Sequence, residues 1–173
     1  GGASGLASLN LAADSRLDLG SGQSIISSGA QTYLGAVTGT RTTLLGTGGA
    51  TITANNPDND FVGLFSVTGG TTQLRDANAL TAALTTGDAT LHSGASLSVS
   101  GNTASLTATS GDALDFGAGG TLVSGNARLD AGGPVSQSGK LDVGGDATLV
   151  AGSQPVSLTD SANRVAGLFQ LST

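Results

Sequence analysis

A five-residue phrase recurs along this chain: Gly, then Asn or Asp, a small residue, a variable residue and Leu. It reads GDATL at residues 87–91, GNARL at 125–129 and GDATL at 145–149, with a looser copy at 101–106. The last two clear copies begin 20 residues apart. A period near 20 residues, made of short strands and Gly-rich turns, is typical of a solenoid whose repeats stack on one another.

Short runs of alternating apolar and polar residues predict strands with one buried and one wet face. From residue 91 onward the leading apolar positions are 91, 97, 106, 114, 122, 129, 135, 141, 149 and 156, so three strands fit in each 20 to 23 residues. There is no Glu and one Lys, so residues that favour helix interiors are scarce. The sequence therefore predicts an all-β fold, a three-sided parallel β-helix with about 20 residues per coil and little or no helix.

Charge placement indicates which way the strands face. Opposite charges flank a Leu at residues 16–18 (RLD), 128–130 (RLD) and 140–142 (KLD). Positions i and i+2 of a strand share one face, so we expect each Leu to point inward and each ion pair outward. Exposed pairs of this kind add a few tenths of a kcal/mol at most, so the pattern concerns orientation rather than stability.

A longer match points to a higher-order repeat. Residues 59–67 (NDFVGLFSV) align with residues 163–171 (NRVAGLFQL) at an offset of 104, or about five coils. We expect residues 1–173 to form one β-helix segment with loops projecting near 55–60 and 159–163. A first guess for a partner-contact loop is Asn55, Asn56, Asp58, Asn59 and Asp60. The opening Gly1, Gly2, Ala3 lacks Met and a signal-peptide pattern, which suggests a piece of a longer protein.

Composition argues against several classes of function. The net charge is −6 and the basic residues are scattered, so we expect no nucleic-acid partner. No run of 18 apolar residues predicts a membrane span. The chain has no Cys and one His, His92, which excludes thiol chemistry and multi-His metal sites, and we expect no cofactor. His92 follows Leu91 and should point outward.

Carboxylates keep an enzymatic alternative open. Two sets could stack on neighbouring coils at distances suited to glycoside hydrolysis: Asp130, Asp142 and Asp146, or Asp58, Asp60 and Asp76. The aromatic platforms that usually line a carbohydrate cleft are scarce, since the chain has four Phe, one Tyr and no Trp. Asp as a turn former and solubilising charge is the favoured interpretation, so we expect no enzyme.

The stretches at 31–37 (QTYLGAV), 59–67 and 125–149 closely resemble the shaft repeats of filamentous-haemagglutinin-like exoproteins. That resemblance covers nearly the whole chain and implies a right-handed parallel β-helix. It implies secretion to the bacterial cell surface through an outer-membrane partner by two-partner secretion. No functional residue of that family maps onto a position here.

The sequence and the resemblance together predict a structural shaft segment of a large secreted bacterial surface adhesin. Such a segment would extend and present other regions for cell adhesion or biofilm formation, with adjoining coils of the same chain as its main contacts. One alternative is a β-helix module that itself binds a glycan or a receptor on a host or bacterial cell. A further alternative is a carbohydrate-active β-helix enzyme.

Overall fold

Thr, Val, Leu and Ser between Gly-rich turns favour strands over helices throughout the chain. The computed structural model describes residues 2–173. Within them lie no α-helix and one 3₁₀ turn, Thr47–Gly49. The strands are β1 Ala3–Leu6, β2 Leu9–Leu11, β3 Arg16–Ser21, β4 Ser24–Ser27, β5 Gln31–Tyr33, β6 Ala36–Thr40, β7 Thr43–Gly46, β8 Ile52–Ala54, β9 Asp60–Val62, β10 Leu64–Thr68, β11 Thr72–Asp76, β12 Leu80–Ser93, β13 Leu97–Ser110, β14 Leu114–Val123, β15 Ala127–Ala131, β16 Val135–Gln137, β17 Leu141–Val143, β18 Ala147–Val150, β19 Arg164–Val165 and β20 Phe169–Ser172.

Every strand pair in the described chain is parallel, and each strand pairs with strands one coil before and after it. The result is a β-solenoid of about eight turns. One side runs through all of these turns and is called the continuous side. It consists of β2, β5, β8, β11, the second halves of β12 and β13, then β15, β18 and β20.

Coil length is uniform on the flanks and shorter in the middle. Paired residues on the flanks lie 19 to 23 positions apart, as in Ile25 with Leu44 and Ser66 with Thr43. In the middle the step falls to 17, as in Leu80 with Leu97 and Leu97 with Leu114. We call residues 77–93 and 94–110 the short coils and the others the long coils.

The short coils gain their length saving by merging two strands into one. β12 runs for 14 residues and pairs with both β10 and β11 of the coil before it. β13 is equally long and pairs with both β14 and β15 of the coil after it. Within β12 the buried positions change parity between Leu84 and Ala89, so the strand bends there without breaking its ladder.

The core is one continuous cluster of buried apolar side chains that extends from Leu19 to Ala151. The largest fully buried side chains include Tyr33, Phe61, Phe65 and Phe116, all of which belong to long coils. The rings of Phe61 and Phe65 stack with centroids 4.0 Å apart. Between residues 80 and 110 the core contains no aromatic side chain and includes Ala82, Ala89 and Ala108.

The predicted fold class is confirmed: the chain is all-β, with parallel strands stacked as a solenoid at a spacing near 20 residues. The two 17-residue coils were not predicted. The inward orientation of the Leu in each charge-flanked triplet is also confirmed, since Leu129 and Leu141 are buried and Leu17 is half-buried. Of the three expected ion pairs, one forms within residues 2–173, between Lys140 Nζ and Asp142 at 3.7 Å.

Candidate interaction surfaces

The turn at residues 56–59 is built by asparagine side chains. Asn56 Oδ1 accepts the backbone N–H of Asp58 at 2.9 Å, and its Nδ2 donates to the Leu34 carbonyl. Asn55 and Asp58 are exposed, whereas Asn59 is completely buried. The predicted contact loop is therefore accessible at 55–58, and Asp60 already belongs to β9. That this turn contacts a partner stays a prediction.

Asn59 holds three segments of chain together. Its Oδ1 accepts the N–H of Val37 at 2.7 Å, and its Nδ2 donates to the carbonyls of Ala54 at 2.9 Å and Arg75 at 3.0 Å. These bonds satisfy buried backbone groups that the turn would leave unpaired. Asn59 is thus a structural residue, which its Asn-rich, loop-like sequence context did not indicate.

The same arrangement recurs 104 residues later. Asp160 Oδ1 accepts the N–H of Ala162 at 2.8 Å, and the N–H of Asn163 bonds the Asp160 carbonyl at 3.1 Å. Asn163 Oδ1 accepts the N–H of Leu141 at 2.8 Å, as Asn59 does for Val37. The internal match seen in the sequence therefore corresponds to a repeated structural unit.

A buried carboxylate, Asp76, caps the point where the long coils give way to the short ones. Its Oδ2 accepts the N–H of Phe61 at 2.8 Å, and its Oδ1 accepts the N–H of Asn78 at 2.7 Å. Burial raises the pKa of Asp76 above the ordinary carboxyl value, and the Asp60 charge adds to this rise, against the lowering by the two N–H bonds. Strand β9 ends the small sheet β3, β6, β9, so Asp76 replaces a missing neighbouring strand.

The recurring Gly-Asn/Asp phrase has a vertical role between coils. Asn126 Oδ1 accepts the N–H of Asp146 at 2.9 Å, and Asp146 Oδ1 accepts the N–H of Leu168 at 2.9 Å. Gly is required beside these caps, since a Cβ on Gly145 would lie 2.2 Å from Asn126 Oδ1. The phrase is therefore a stacking device, and it carries no chemistry of its own.

The outer face of the continuous side carries a column of hydrogen-bonding side chains in register. Its rungs are Asn10, Thr32, Thr53, Gln73, Thr90, Thr107, Arg128, Thr148 and Gln170. A second column beside it runs through Arg75, His92, Thr109 and Asp130. His92 is partly exposed, as predicted, and lies directly beside Arg75. This side is flat and polar, and it carries three basic residues in neighbouring coils.

The two carboxylate sets do not form an open acid–base pair. Asp130 lies on the continuous side, whereas Asp142 lies on β17 and is engaged by Arg164 at 2.9 Å. In the other set Asp58 is exposed, Asp60 is half-buried, and both Asp76 oxygens already accept backbone N–H groups. Residues 2–173 hold no group of three or more His, Cys, Asp or Glu side chains placed to bind a metal. No helix in this range is long and apolar enough to cross a membrane.

At the C-terminal edge, apolar side chains that face the core lack a covering coil. Phe169 pairs with Ala147 and Leu171 with Leu149, both completely buried, yet Phe169 is 41% exposed and Leu171 48%. A recess of about 260 Å³ lies beside them, lined by Leu141, Leu158, Asn163, Arg164, Val165 and Phe169.

Comparison with known proteins gives a family and no named relative. The chain matches a family described as repeats of unknown function (DUF5649) over residues 3–68 and 101–172. Neither a curated protein nor a solved structure matches it. Because the two matched stretches cover most of its length and coincide with the stacked coils, the chain belongs to this repeat family.

Proposed function

We propose that this chain is a structural, non-enzymatic shaft segment of a large secreted bacterial surface adhesin. The observation that supports a shaft most directly is the unbroken stacking of the continuous side from β2 to β20. At about 4.8 Å per rung, that side alone extends over roughly 40 Å. Such a body holds other regions of a polypeptide apart and needs no reactive site to do so.

The placement of polar groups is consistent with that role. Buried backbone and side-chain donors are used for stacking between coils, as in Asn59, Asp76 and Asn126. The outward positions of the continuous side are polar in almost every coil, which favours a soluble single rod over lateral association. The secreted surface location, the outer-membrane secretion partner and the adhesin role are supported by the resemblance of the shaft repeats.

A coil deletion in the natural full-length protein tests the shaft proposal. Removal of residues 81–97 joins Leu80 to Ser98 and preserves the 17-residue register. We expect the protein to fold, to reach the cell surface and to mediate adhesion at close to the wild-type level, because a shorter shaft still presents the same regions. A matched deletion of residues 81–90 breaks the register and should abolish folding of the segment.

Two outcomes would contradict this proposal. One is a natural protein that stays inside the cell in fractionation and surface-labelling experiments. The other is a register-preserving deletion that folds but loses binding to its target, because a passive spacer has no binding determinant to lose.

The second candidate is a binding module that engages a glycan or a receptor directly. The observation that favours it is the polar column on the continuous side, with Arg75, His92 and Arg128 in neighbouring coils. Glycan arrays probed with the purified segment test it. Binding that is lost in R75A and R128A but kept in R16A, which lies on β3 away from this side, would favour the module over the shaft.

A further inference from the structure

The C-terminal edge of this chain repeats an edge that is covered elsewhere in the same molecule. Residues 56–68 and 160–172 share sequence, the Asx turn and the Asn side-chain cap. In the first copy Phe65 and Val67 are each 1% exposed, whereas the equivalent Phe169 and Leu171 are 41% and 48% exposed. The difference arises because residues 72–93 stack on the first copy.

The contacts that cover the first copy are specific to a short coil. Strand β10 pairs residue by residue with the first half of β12, from Leu64 with Thr81 to Thr68 with Thr85. The N–H of Phe61 is capped by Asp76, and Asn59 Nδ2 donates to the Arg75 carbonyl. In the second copy Asn163 Nδ2 donates instead to Gln137 Oε1 at 2.7 Å, and Val165 holds the position of Phe61.

We propose that the C-terminal edge is a binding surface for one further coil of the short type, added in parallel register. This coil would place small apolar side chains, like those of Ala82 and Leu84, over Phe169 and Leu171. It would end its first strand in a carboxylate that accepts the N–H of Val165, as Asp76 does for Phe61. The established interface between residues 59–68 and 72–93 supplies the geometry, since the two edges are equivalent.

This inference deepens the proposed function and rests on it, because it states how the shaft accepts its next segment. The carboxylate is the distinguishing element. At the position of Asp76, the neighbouring coils carry Ser93, Ser110 and then Ala131, in register down the column. A coil that ends in Ala, as the long coil does, cannot cap the N–H of Val165.

The test appends a copy of residues 70–96 after Thr173 in the full chain, so that Thr173 takes the place of Gly69. We expect amide hydrogen exchange at Val165 and through β20 to slow by about tenfold or more relative to the parent chain. A matched fusion in which the copy carries the D76A change should lose the protection of the Val165 amide. Both fusions are also followed by thermal unfolding, to show whether the added coil folds with the rest.

The inference fails if the added coil leaves exchange in residues 164–172 unchanged. It also fails if the D76A fusion protects the Val165 amide as well as the unaltered fusion does. Neither result bears on secretion or adhesion, which the coil deletion in the natural protein measures separately.

Discussion

The short coils in the middle of the molecule and the long coils on either side stack on the same continuous side but enclose different interiors. A long coil turns at additional corners, such as Gly117 to Gly120 between the two pairing regions of β14. A short coil omits one corner and runs straight through as β12 or β13. The comparison shows that corners set the perimeter of a coil, and that the perimeter sets the size of the side chains inside.

The short coils also differ in how they close. Where a long coil has a strand or a longer turn, a short coil has three residues, and a buried polar side chain just before them provides hydrogen bonds. Asp76 accepts the N–H of Asn78, while Ser93 Oγ donates to the Asn78 carbonyl at 2.6 Å. Ser110 Oγ donates to the Asp112 carbonyl at 2.9 Å. At the next position of this column stands Ala131, where the long coils resume.

The boundaries of the family match follow the same division. The stretch between the two matched regions, residues 69–100, contains the first short coil and the beginning of the second. The family repeat therefore describes long coils, and the short coils lie between two copies of it. The Asn-capped turn at 56–59 and its counterpart at 160–163 both fall near the end of a matched stretch.

An exchange of core volumes across the boundary gives the largest expected effect. Ala108 and Leu129 are stacked neighbours, one in a short coil and one in a long coil, and both are buried. Leu129→Ala should cost about 2 to 5 kcal/mol in the free energy of unfolding, and Ala108→Leu about 1 to 3 kcal/mol. If perimeter sets side-chain size, the double variant should lose nearly the sum. Urea denaturation measures all three, and a double variant close to wild type would show a single interchangeable interior.

Replacement of the carboxylate at the boundary should have the next largest effect. Asp76→Ala leaves two backbone N–H groups, those of Phe61 and Asn78, without acceptors inside the protein. We expect a loss of about 3 kcal/mol in the free energy of unfolding, because each buried unsatisfied donor costs about 1 to 3 kcal/mol. Asp58→Ala, in the exposed part of the neighbouring turn, is the matched control and should change stability by less than about 0.5 kcal/mol. Equal losses would mean that the boundary needs no cap.

The sequence predicts the fold well because period and orientation are local properties. The spacing of Leu residues and the inward Leu of each charge-flanked triplet follow from strand alternation alone. The short coils were missed, since the leading apolar positions near residues 80 to 110 keep steps of six to nine whether or not a corner lies between them. Coil length depends on which distant residues pair.

The candidate surface was harder to predict than the fold. Asn59 has the sequence context of a projecting loop, yet its side chain is buried because it bonds residues 22 positions before it and 16 after it. Asp76 gives no sequence sign of its role, which depends on β9 lacking a neighbour. The polar column of the continuous side becomes visible only when the register of all its strands is known. Its side chains come from residues that no short motif connects.

The recurring phrase allows a smaller test of the same comparison. A Cβ on Gly145, in a long coil, would lie 2.2 Å from Asn126 Oδ1 and 2.9 Å from the Gly125 carbonyl oxygen. A Cβ on Gly87, in a short coil, would meet its nearest atom at 3.3 Å. Gly145→Ala should therefore lower the thermal midpoint and cost about 1 to 3 kcal/mol, and Gly87→Ala less than about 1 kcal/mol. Equal shifts in thermal unfolding would show that the vertical Asn cap does not constrain the long coils.

The smallest expected effect is a dependence of stability on pH that belongs to the boundary between coil types. Burial raises the pKa of Asp76 in the folded protein, so the folded state binds this proton more tightly than the unfolded chain does. The resulting contribution to stability is fully present below the ordinary carboxyl pKa, near about 4, and is lost as the pH rises through the raised value. Asp76→Asn cannot titrate, so the difference in unfolding free energy between wild type and this variant should shift in favour of the variant as the pH rises in that window. Urea denaturation from about pH 4 to pH 7 measures it, with Asp58→Asn as the control. A difference that stays constant with pH would mean that the two N–H bonds hold Asp76 at its ordinary pKa, and that the boundary is closed by hydrogen bonding without a penalty for buried charge.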